Sequence, residues 1–351
     1  MTYRKTEAQI YLKNITNNVK KIIQNHGNYK YYIGVVKADC YGHNSHKVIQ
    51  SIIDGGCNYL AVSSLDEAII IRKKFNDIPI LCLGITDPKH FKIYQKYNID
   101  ITVTSLEQIS FLKKYNLNIH LKIDTGMNRL GIKSKKEFDL ILNNIKDNNL
   151  HIQGIYTHIY EAANKFKTLN QINRFKQITS SIDLNSIPIV HIAQSETLIN
   201  YEKINFCNGC RMGIIMYGLI NNNINLENTL SLTSEVIEIK HLKQGETVSY
   251  NGIYKALKDE IIGVVSIGYA DGINRKLTGA YVYINENKYQ IIGNICMDML
   301  MIKIDSKVKL HDKVYLYKNI EHIKELSNHL NTIPYELICS ISKRVPRKYL
   351  N

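Results

Sequence analysis

Hydrophobic residues recur in short β-branched runs between residues 30 and 220, and longer stretches with helical spacing separate these runs. The runs that predict strands are residues 31–37, 59–62, 80–83, 100–103, 119–123, 152–158, 188–192 and 206–211. Strands that alternate with helices are typical of parallel βα units. Eight such units predict a (β/α)8 barrel, a fold whose chemistry occurs at the carboxyl ends of its strands.

Two of the predicted helices begin with a capping box directly after a strand. The motifs are SLDE at residues 64–67 and SLEQ at residues 105–108. A capping box satisfies N–H groups at the start of a helix, so both motifs indicate a strand-to-helix order. The alternative is an open, doubly wound sheet. That fold would normally contain fewer units and, for a nucleotide, a glycine fingerprint that this sequence lacks.

The pattern changes after about residue 226 to strand-like runs that are separated by turn residues. Examples are SLTSEVIEIK, EIIGVVSIGYADGI and AYVYINENKYQIIGN, and a single helical pattern follows near 320–330. We therefore predict a barrel domain at residues 1–225 and a mainly β domain at residues 226–351. Residues 1–10 are candidates for pairing with the second domain.

Composition narrows the possible partners. The 351 residues are 44% hydrophobic, enough for a sizeable core. The net charge of +14 is spread along the chain, so it does not predict a nucleic-acid surface. No apolar run reaches the roughly 20 residues of a membrane-spanning helix, and the first residues lack the apolar stretch of a signal peptide. We expect a cytoplasmic protein with neither a nucleic-acid nor a membrane partner.

The cysteines do not predict a metal site. They form an odd set within mostly apolar runs, as buried thiols do, at positions 40, 57, 82, 207, 210, 296 and 339. Cys207 and Cys210 have CxxC spacing, but no second pair completes a zinc site. We interpret this pair as structural, and metal binding there is the alternative.

Lys37 follows the first apolar run, where a lysine suits covalent chemistry with a carbonyl cofactor. A lysine there could equally be solvated. However, VVKADCYGH at residues 35–43 resembles the pyridoxal 5'-phosphate attachment site of the alanine racemase family. The resemblance implies that Lys37 holds this cofactor covalently and moves a proton at the substrate α-carbon. It also implies that Tyr41 contacts the cofactor phosphate.

The resemblance extends from about residue 5 to residue 350. Its further segments are KIDTGMNRLG at 122–131, RMGIIMYG at 211–218, VSY at 248–250, NICMDM at 294–299 and IPYEL at 333–337. In the first of these, Lys122 corresponds to a lysine that is often carbamylated in the family. The resemblance implies that Lys122 orients Arg129, and that Arg129 meets the substrate carboxylate and the phenolic oxygen of the cofactor.

Further cofactor contacts are implied at the ends of the later strands. His158 ends the sixth run, and a lone strand-end histidine would otherwise more often be structural. Ser195 begins a predicted helix and is implied, with Gly213, Ile214 and Tyr335, to bind the phosphate. As a simple N-cap, Ser195 would look the same in the sequence.

Arg211 is implied to face the pyridine nitrogen of the cofactor. An arginine cannot lend a proton to the ring, because its pKa exceeds about 12. A cation there keeps the nitrogen unprotonated, which weakens the electron sink and disfavours transamination.

Racemisation needs a second base on the opposite face of the substrate, and the resemblance implies Tyr250. Met297 is implied to bind the substrate carboxylate through its backbone, with Cys296 and Asp298 supporting it. In the family these residues are reached from the partner subunit. The resemblance therefore implies a homodimer with a shared active site.

The expected activity is the interconversion of L- and D-alanine by two bases, for peptidoglycan precursors. Departures from the family pattern are Asn128, Gln194, Glu196 and Met212. They leave open a serine or broad-specificity racemase, because HIAQSETLINY at 191–201 is also similar to serine racemase domains. The bulk of Tyr335 argues against serine. An alternative of another class is a non-catalytic protein that binds pyridoxal 5'-phosphate, although such barrels lack the β domain and Tyr250.

Overall fold

A closed barrel of eight parallel strands forms the first part of the molecule and confirms the predicted fold class. The structure is a computed structural model that describes residues 3–148, 150–220 and 224–351. The barrel strands are β2 to β9, in chain order around the ring.

The strands within the described residues run from the amino to the carboxyl end as follows: β1 Glu7–Tyr11, β2 Tyr31–Val35, β3 Tyr59–Val62, β4 Ile80–Cys82, β5 Asp100–Val103, β6 Asn118–Lys122, β7 His151–Tyr156, β8 Ile189–His191, β9 Gly209–Met212, β10 Leu230–Leu242, β11 Thr247–Val248, β12 Tyr254–Lys255, β13 Glu260–Val265, β14 Tyr281–Ile284, β15 Asn287–Ile292, β16 Leu300–Ile304, β17 Lys313–Tyr317 and β18 Arg347–Leu350.

The α-helices of the same ranges are α1 Leu12–Asn25, α2 Lys37–Tyr41, α3 His46–Asp54, α4 Leu65–Arg72, α5 Phe91–Lys96, α6 Leu106–Leu112, α7 Lys135–Asp147, α8 Lys165–Ile178, α9 Ser195–Asn200, α10 Ile320–His329 and α11 Pro334–Cys339. No helix in the described ranges is long and apolar enough to cross a membrane.

The barrel strands are buried on both faces, which explains why their sequences are almost continuously apolar. Every residue of β3, β4 and β5 is buried. Parallel strands covered by helices have this pattern because neither face meets water. The burial of both faces is why the apolar runs located these strands to within a few residues.

The capping boxes differ from their usual form. Ser64 accepts a hydrogen bond from the Glu67 amide, as predicted, but the Glu67 carboxylate accepts from the Ser63 amide rather than from Ser64. The other oxygen of Glu67 accepts from the amide of Ala38 at 2.7 Å. Glu67 therefore ties α4 to the start of α2.

The chain turns sharply after β2, so the predicted run 31–37 extends two residues too far. Lys37 begins α2 instead, which is a left-handed turn and not an ordinary right-handed helix, because residues 38–41 all have φ between 51° and 54°. This left-handed conformation costs roughly 1–2 kcal/mol per residue for L-amino acids. Such strain persists only where the surroundings hold it, often at functional sites.

The second part of the molecule is a mainly antiparallel sheet with strand order β13-β16-β15-β14-β17-β10-β1-β18. β1 pairs antiparallel with β10 and parallel with β18, so the amino-terminal strand lies in this sheet. The predicted late helix is α10, and α11 follows it as a second helix that the sequence pattern did not indicate. The division after residue 225 stays a prediction.

Candidate active site

A cavity of about 830 Å³ lies at the carboxyl ends of the barrel strands. Part of its wall comes from α10 and α11, which bring the second part of the chain over the barrel mouth. The predicted site residues that line it are Lys37, Tyr41, Lys122, Arg129, His158, Ser195, Arg211, Gly213, Ile214 and Tyr335. Residues separated by up to about 300 positions in the sequence thus share one space.

Lys37 is half-buried in this cavity, at the first residue of α2. Burial lowers the pKa of its amine, and the positive charge of Arg129 lowers it further, whereas Glu67 opposes the shift. A lysine with a lowered pKa has a larger neutral fraction, and the neutral amine is the nucleophile and the base.

Lys122 ends β6 and is buried deeper than Lys37. Burial lowers the pKa of Lys122 to about 8, with added repulsion from Arg129 and Arg211. Its amine lies 5.7 Å from the ring centroid of Tyr156. A lysine that has a lowered pKa and is repelled by two guanidinium groups is electrostatically suited to a modification that adds negative charge.

The loop after β6 presents Arg129 to the cavity. Asp124 accepts hydrogen bonds from the amides of Gly126 at 3.0 Å and Asn128 at 3.1 Å, which closes the turn. Gly131 has φ of 127°, and a Cβ there would lie 2.8 Å from the Asp124 nitrogen. Only glycine fits there, so this residue lets the loop return beside β6.

Ser195 is not the N-cap of α9. Gln194 caps this helix by accepting from the Glu196 amide at 2.8 Å. The Ser195 hydroxyl is therefore available to accept from the amides of Gly213 at 3.0 Å and Ile215 at 3.4 Å. The sequence could not separate these two arrangements, because both place a polar residue at the start of the same helix.

A compact cradle forms where Ser195 meets Gly213. A Cβ at Gly213 would lie 2.9 Å from the Tyr41 hydroxyl and 3.4 Å from the Ser195 hydroxyl, so glycine keeps this space open. Ile214 begins the short 3-10 turn that follows. The rings of Tyr41 and Tyr335 are 6.0 Å apart, and burial raises the pKa of both phenols, to about 12 for Tyr335. Both phenols are therefore neutral donors.

Arg211 lies at the base of the cavity and is buried. One terminal nitrogen donates to the His191 carbonyl and to His191 Nδ1, both at 2.7 Å. The other donates to the carbonyls of Thr157 at 2.7 Å and Ile192 at 3.2 Å. Nε–H is the guanidinium donor that has no partner among the described residues. It is the donor left for a group in the cavity.

His158 is neutral at ordinary pH. Burial lowers its pKa to about 3, and the charges of Arg211, Arg129, Lys122 and Lys37 act in the same direction. A neutral imidazole can both donate and accept a hydrogen bond.

The other four predicted site residues, Tyr250, Cys296, Met297 and Asp298, are absent from the described residues that line the cavity. Tyr250 is 69% exposed and Met297 is 52% exposed. Both belong to the β part of the chain. Within one chain, the predicted second base therefore lies outside the cavity that contains Lys37.

These four residues nevertheless form one ordered surface group. Asn294 donates to the Tyr250 carbonyl at 2.8 Å, and Ser249 donates to the Asn294 carbonyl at 2.6 Å. The carbonyls of Cys296 and Met297 each accept a backbone N–H at 3.0 Å. Asp298 accepts from Arg344 at 2.7 Å.

Sequence reasoning missed Tyr156 and did not assign Glu196 a role in the site, although both line the cavity. Tyr156 is buried, and its ring centroid lies 5.2 Å from the Arg211 guanidinium carbon. It is two positions before His158, so strand alternation could have indicated a shared face. Glu196 is close enough to Tyr335 to contribute to its raised pKa.

Comparisons with known proteins cover nearly the whole chain. The sequence model described as "Alanine racemase, N-terminal domain" matches residues 10–221, and "Alanine racemase, C-terminal domain" matches residues 229–349. Alanine racemase 1 of Bacillus subtilis is 38% identical over 367 residues, which is 99% of this chain and 94% of that protein.

Solved structures agree. The alanine racemase of Bacillus anthracis with bound L-Ala-P is 32% identical, with a TM-score of 0.92, and covers 100% of this chain and 96% of that one. The alanine racemase of E. faecalis is 31% identical, with a TM-score of 0.93, and covers 99% of each chain.

Proposed function

The chain belongs to the alanine racemase family, and from that premise we propose how its own residues interconvert L- and D-alanine. The observation that carries the proposal is the single cavity that joins Lys37, Arg129 and Arg211 to the cradle at Gly213. The cofactor is pyridoxal 5'-phosphate, which supplies a ring that withdraws electrons from the substrate α-carbon. The cradle fits its phosphate, because the neutral hydroxyls of Tyr41 and Ser195 border a space that a Cβ at Gly213 would fill.

Lys37 holds the cofactor covalently and moves a proton on one face of the substrate α-carbon. Its lowered pKa supports both tasks, because each requires a neutral amine. Tyr41, Ser195, Gly213, Ile214 and Tyr335 hold the phosphate.

Arg129 binds the substrate carboxylate through charge-assisted hydrogen bonds, which are the strong ones in proteins. Lys122 positions Arg129. A carbamate on Lys122 would place a negative charge between Arg129 and Arg211, and the lowered pKa of Lys122 favours its formation, because the neutral amine is the form that reacts.

Arg211 would present its Nε–H to the pyridine nitrogen, and His158 would support the cofactor. The four other N–H groups of the Arg211 terminal nitrogens are used within the barrel, which supports a fixed orientation. A permanent cation beside that nitrogen favours the unprotonated ring and so favours racemisation over transamination.

Tyr250 is the base on the opposite face, and we infer that a second copy of the chain supplies it. Tyr250, Met297 and their apolar neighbours Ile253, Leu257 and Met299 are all more than 40% exposed in one chain. They fall in two short segments, 250–257 and 297–299, and exposed apolar residues grouped in this way are typical of an interface. The Met297 backbone would meet the substrate carboxylate from the same side, with Cys296 and Asp298 holding its loop.

The activity assay separates this function from its two alternatives. Purified protein with pyridoxal 5'-phosphate should convert either enantiomer of alanine to an equal mixture, because the two have the same free energy. A faster rate on serine would support the serine or broad-specificity alternative. Cofactor binding without racemisation of any small amino acid would support the non-catalytic alternative.

We also propose a cytoplasmic location and a role in peptidoglycan precursor supply, both of which rest on the family resemblance. Cell fractionation should find the activity in the cytoplasmic fraction. Loss of the gene should make growth depend on D-alanine unless a second racemase is present.

A further inference from the structure

A line of buried polar side chains crosses the barrel interior behind Arg211. Its members come from five barrel strands and are at most 4% exposed: Arg211, His191, His120, Tyr59 and Asp100. Asp100 is the first residue of β5, so the line ends at the amino-terminal side of that strand, away from the cavity. We call these five residues the buried relay.

Each neighbouring pair in the buried relay is in hydrogen-bond contact. Arg211 lies 2.7 Å from His191 Nδ1, and His191 Nε2 lies 3.1 Å from His120 Nδ1. His120 Nε2 lies 3.2 Å from the Tyr59 hydroxyl and 3.6 Å from Asp100 Oδ2. The Tyr59 hydroxyl donates to the same carboxylate oxygen of Asp100.

The direction of these bonds follows from what each group can donate. Arginine only donates, so His191 Nδ1 must accept and carries no proton. A neutral imidazole has one N–H, which places the His191 proton on Nε2, facing His120 Nδ1. The same reasoning places the His120 proton on Nε2, facing Tyr59 and Asp100. Every donor therefore points away from Arg211 and toward the carboxylate.

The alternative protonation states would bring donors together. A protonated His191 would direct a donor at Arg211, and a protonated His120 would direct one at the His191 Nε2–H. In agreement with this, burial and the charge of Arg211 hold the pKa of His191 well below its ordinary value. His120 Nε2 therefore hydrogen-bonds to the Tyr59 hydroxyl, and Asp100, 3.6 Å away, faces a neutral ring and is not part of an ion pair.

The surrounding residues leave space for the buried relay and contact its side chains. Gly154 of β7 faces His120, and a Cβ there would lie 2.4 Å from His120 Nδ1, at the contact with His191. The ring of Tyr156 stacks on His191 with centroids 4.6 Å apart and an angle of 15°. Asn118 donates to the second Asp100 oxygen at 3.0 Å, so both oxygens of the carboxylate accept hydrogen bonds.

We propose that His120, Tyr59 and Asp100 are positioning residues for Arg211. They fix His191 as the Nε2–H tautomer, which keeps its Nδ1 as the acceptor that orients the guanidinium with Nε–H toward the cavity. The assignment of the His191 tautomer, which is the geometric part of the proposal, does not depend on the protein being a racemase. Its consequence for the reaction rests on the role proposed for Arg211.

The tautomers can be measured directly in the cofactor-free protein. Histidine labelled with 15N, followed by NMR, should show both His191 and His120 neutral with the proton on Nε2. His120→Leu assigns the His120 resonances. If either ring carries its proton on Nδ1, or is an imidazolium near neutral pH, the proposal is wrong whatever the enzyme does.

A variant of the middle residue tests the consequence. His120→Leu removes the acceptor of the His191 Nε2–H, so the tautomer should no longer be fixed and Arg211 should lose one of the four hydrogen bonds that orient it. The ratio of transamination to racemisation in the cofactor-loaded enzyme should rise about 10-fold, the lower end of what is usual for residues that orient a functional group. Leu121→Ala is the matched control, because Leu121 is also buried in β6 but faces away from the relay.

The control should lose stability without changing the ratio or the His191 resonances. If His120→Leu does not fold, Gly154→Ala interrupts the same contact with one added methyl group. An unchanged ratio and an unchanged His191 tautomer in a folded variant would refute the positioning role. A protein without racemase activity would instead contradict the proposed function, and the wild-type tautomers would still decide the geometric part.

Discussion

The barrel cavity and the surface group around Tyr250 contain different halves of the predicted site and are built in opposite ways. In the cavity, Arg211 and Ser195 are at most 4% exposed and hydrogen-bonded. In the surface group, Tyr250 and Met297 are more than half exposed, although their backbone is tied by hydrogen bonds. One half is enclosed within a single chain, and the other is ordered but faces outward. This difference supports the proposal that the second half serves the cavity of another copy.

The largest expected effect on the racemisation rate comes from a change in the barrel cavity alone. Lys37→Ala should reduce racemisation by at least about 10⁴-fold, because covalent attachment and one proton transfer are both lost. Chiral chromatography of alanine measures the rate, and borohydride reduction followed by peptide mass spectrometry measures the attachment. A normal adduct on another lysine would show that the cavity is used differently.

Removing the base of the outward-facing half should have a smaller but severe effect. Tyr250→Phe should lower the rate by about 10²–10⁴-fold, the usual range for a positioned general base. Cofactor binding should be unchanged. The loss should be directional: exchange of the α-proton of D-alanine with solvent deuterium, which Lys37 serves in the family, should persist better than exchange of L-alanine.

Mixing the two variants tests the comparison itself. Mixed dimers of Lys37→Ala and Tyr250→Phe subunits contain one site with both native bases, so part of the activity should return. Formation of mixed dimers must first be shown with differently tagged subunits. If they form from folded subunits and remain inactive, the two halves do not meet between copies.

Arg211→Glu changes the base of the cavity without touching the outward-facing half. Racemisation should fall on the order of 10²-fold, as is usual when one electrostatic contact is removed. Transamination should rise, because a carboxylate favours the protonated pyridine nitrogen. Pyruvate formation and alanine racemisation measure the two rates, and an unchanged ratio would place Arg211 away from the ring.

Tyr335 connects the two halves of the comparison. It belongs to the second part of the chain, but it lines the barrel cavity because α11 lies over the barrel mouth. Tyr335→Asn should narrow the preference for alanine over serine by about 10-fold, within the ~1–3 kcal/mol that one small group is worth in a pocket. Relative kcat/KM values measure it. A wild-type enzyme already faster on serine would mean that Gln194 and Glu196 outweigh Tyr335.

The last prediction concerns how the formation of a carbamate on Lys122 depends on pH. The Lys122 amine becomes mostly neutral as the pH rises through about 8, so at a fixed concentration of dissolved CO2 a carbamate should form faster above that pH than below it. Labelled bicarbonate and 13C NMR should show the carbamate signal, and Lys122→Ala should remove it while slowing the enzyme roughly 10-fold by loosening Arg129. Persistence of the signal in Lys122→Ala would assign the carbamate to another lysine.

Periodicity located the barrel strands well because burial on both faces leaves a continuous apolar run. It failed where local and tertiary signals compete. The run into Lys37 continued past the end of β2, because apolar Val36 precedes a left-handed turn that distant contacts stabilise. The short α11 was missed because a six-residue helix carries little periodicity of its own.

The sequence by itself determined the barrel and the β part, because periodicity is a local property of the chain, and its motifs led to the proposed site residues through the family resemblance. Tertiary structure decided that Gln194, and not Ser195, caps α9, that Tyr250 lies outside its own chain's cavity, and that His191 and His120 connect Arg211 to Asp100. These relations depend on residues that are distant in sequence and come from separate strands. No local sequence pattern predicts which buried donor meets which acceptor. Closure of the barrel brings those side chains together from separate strands.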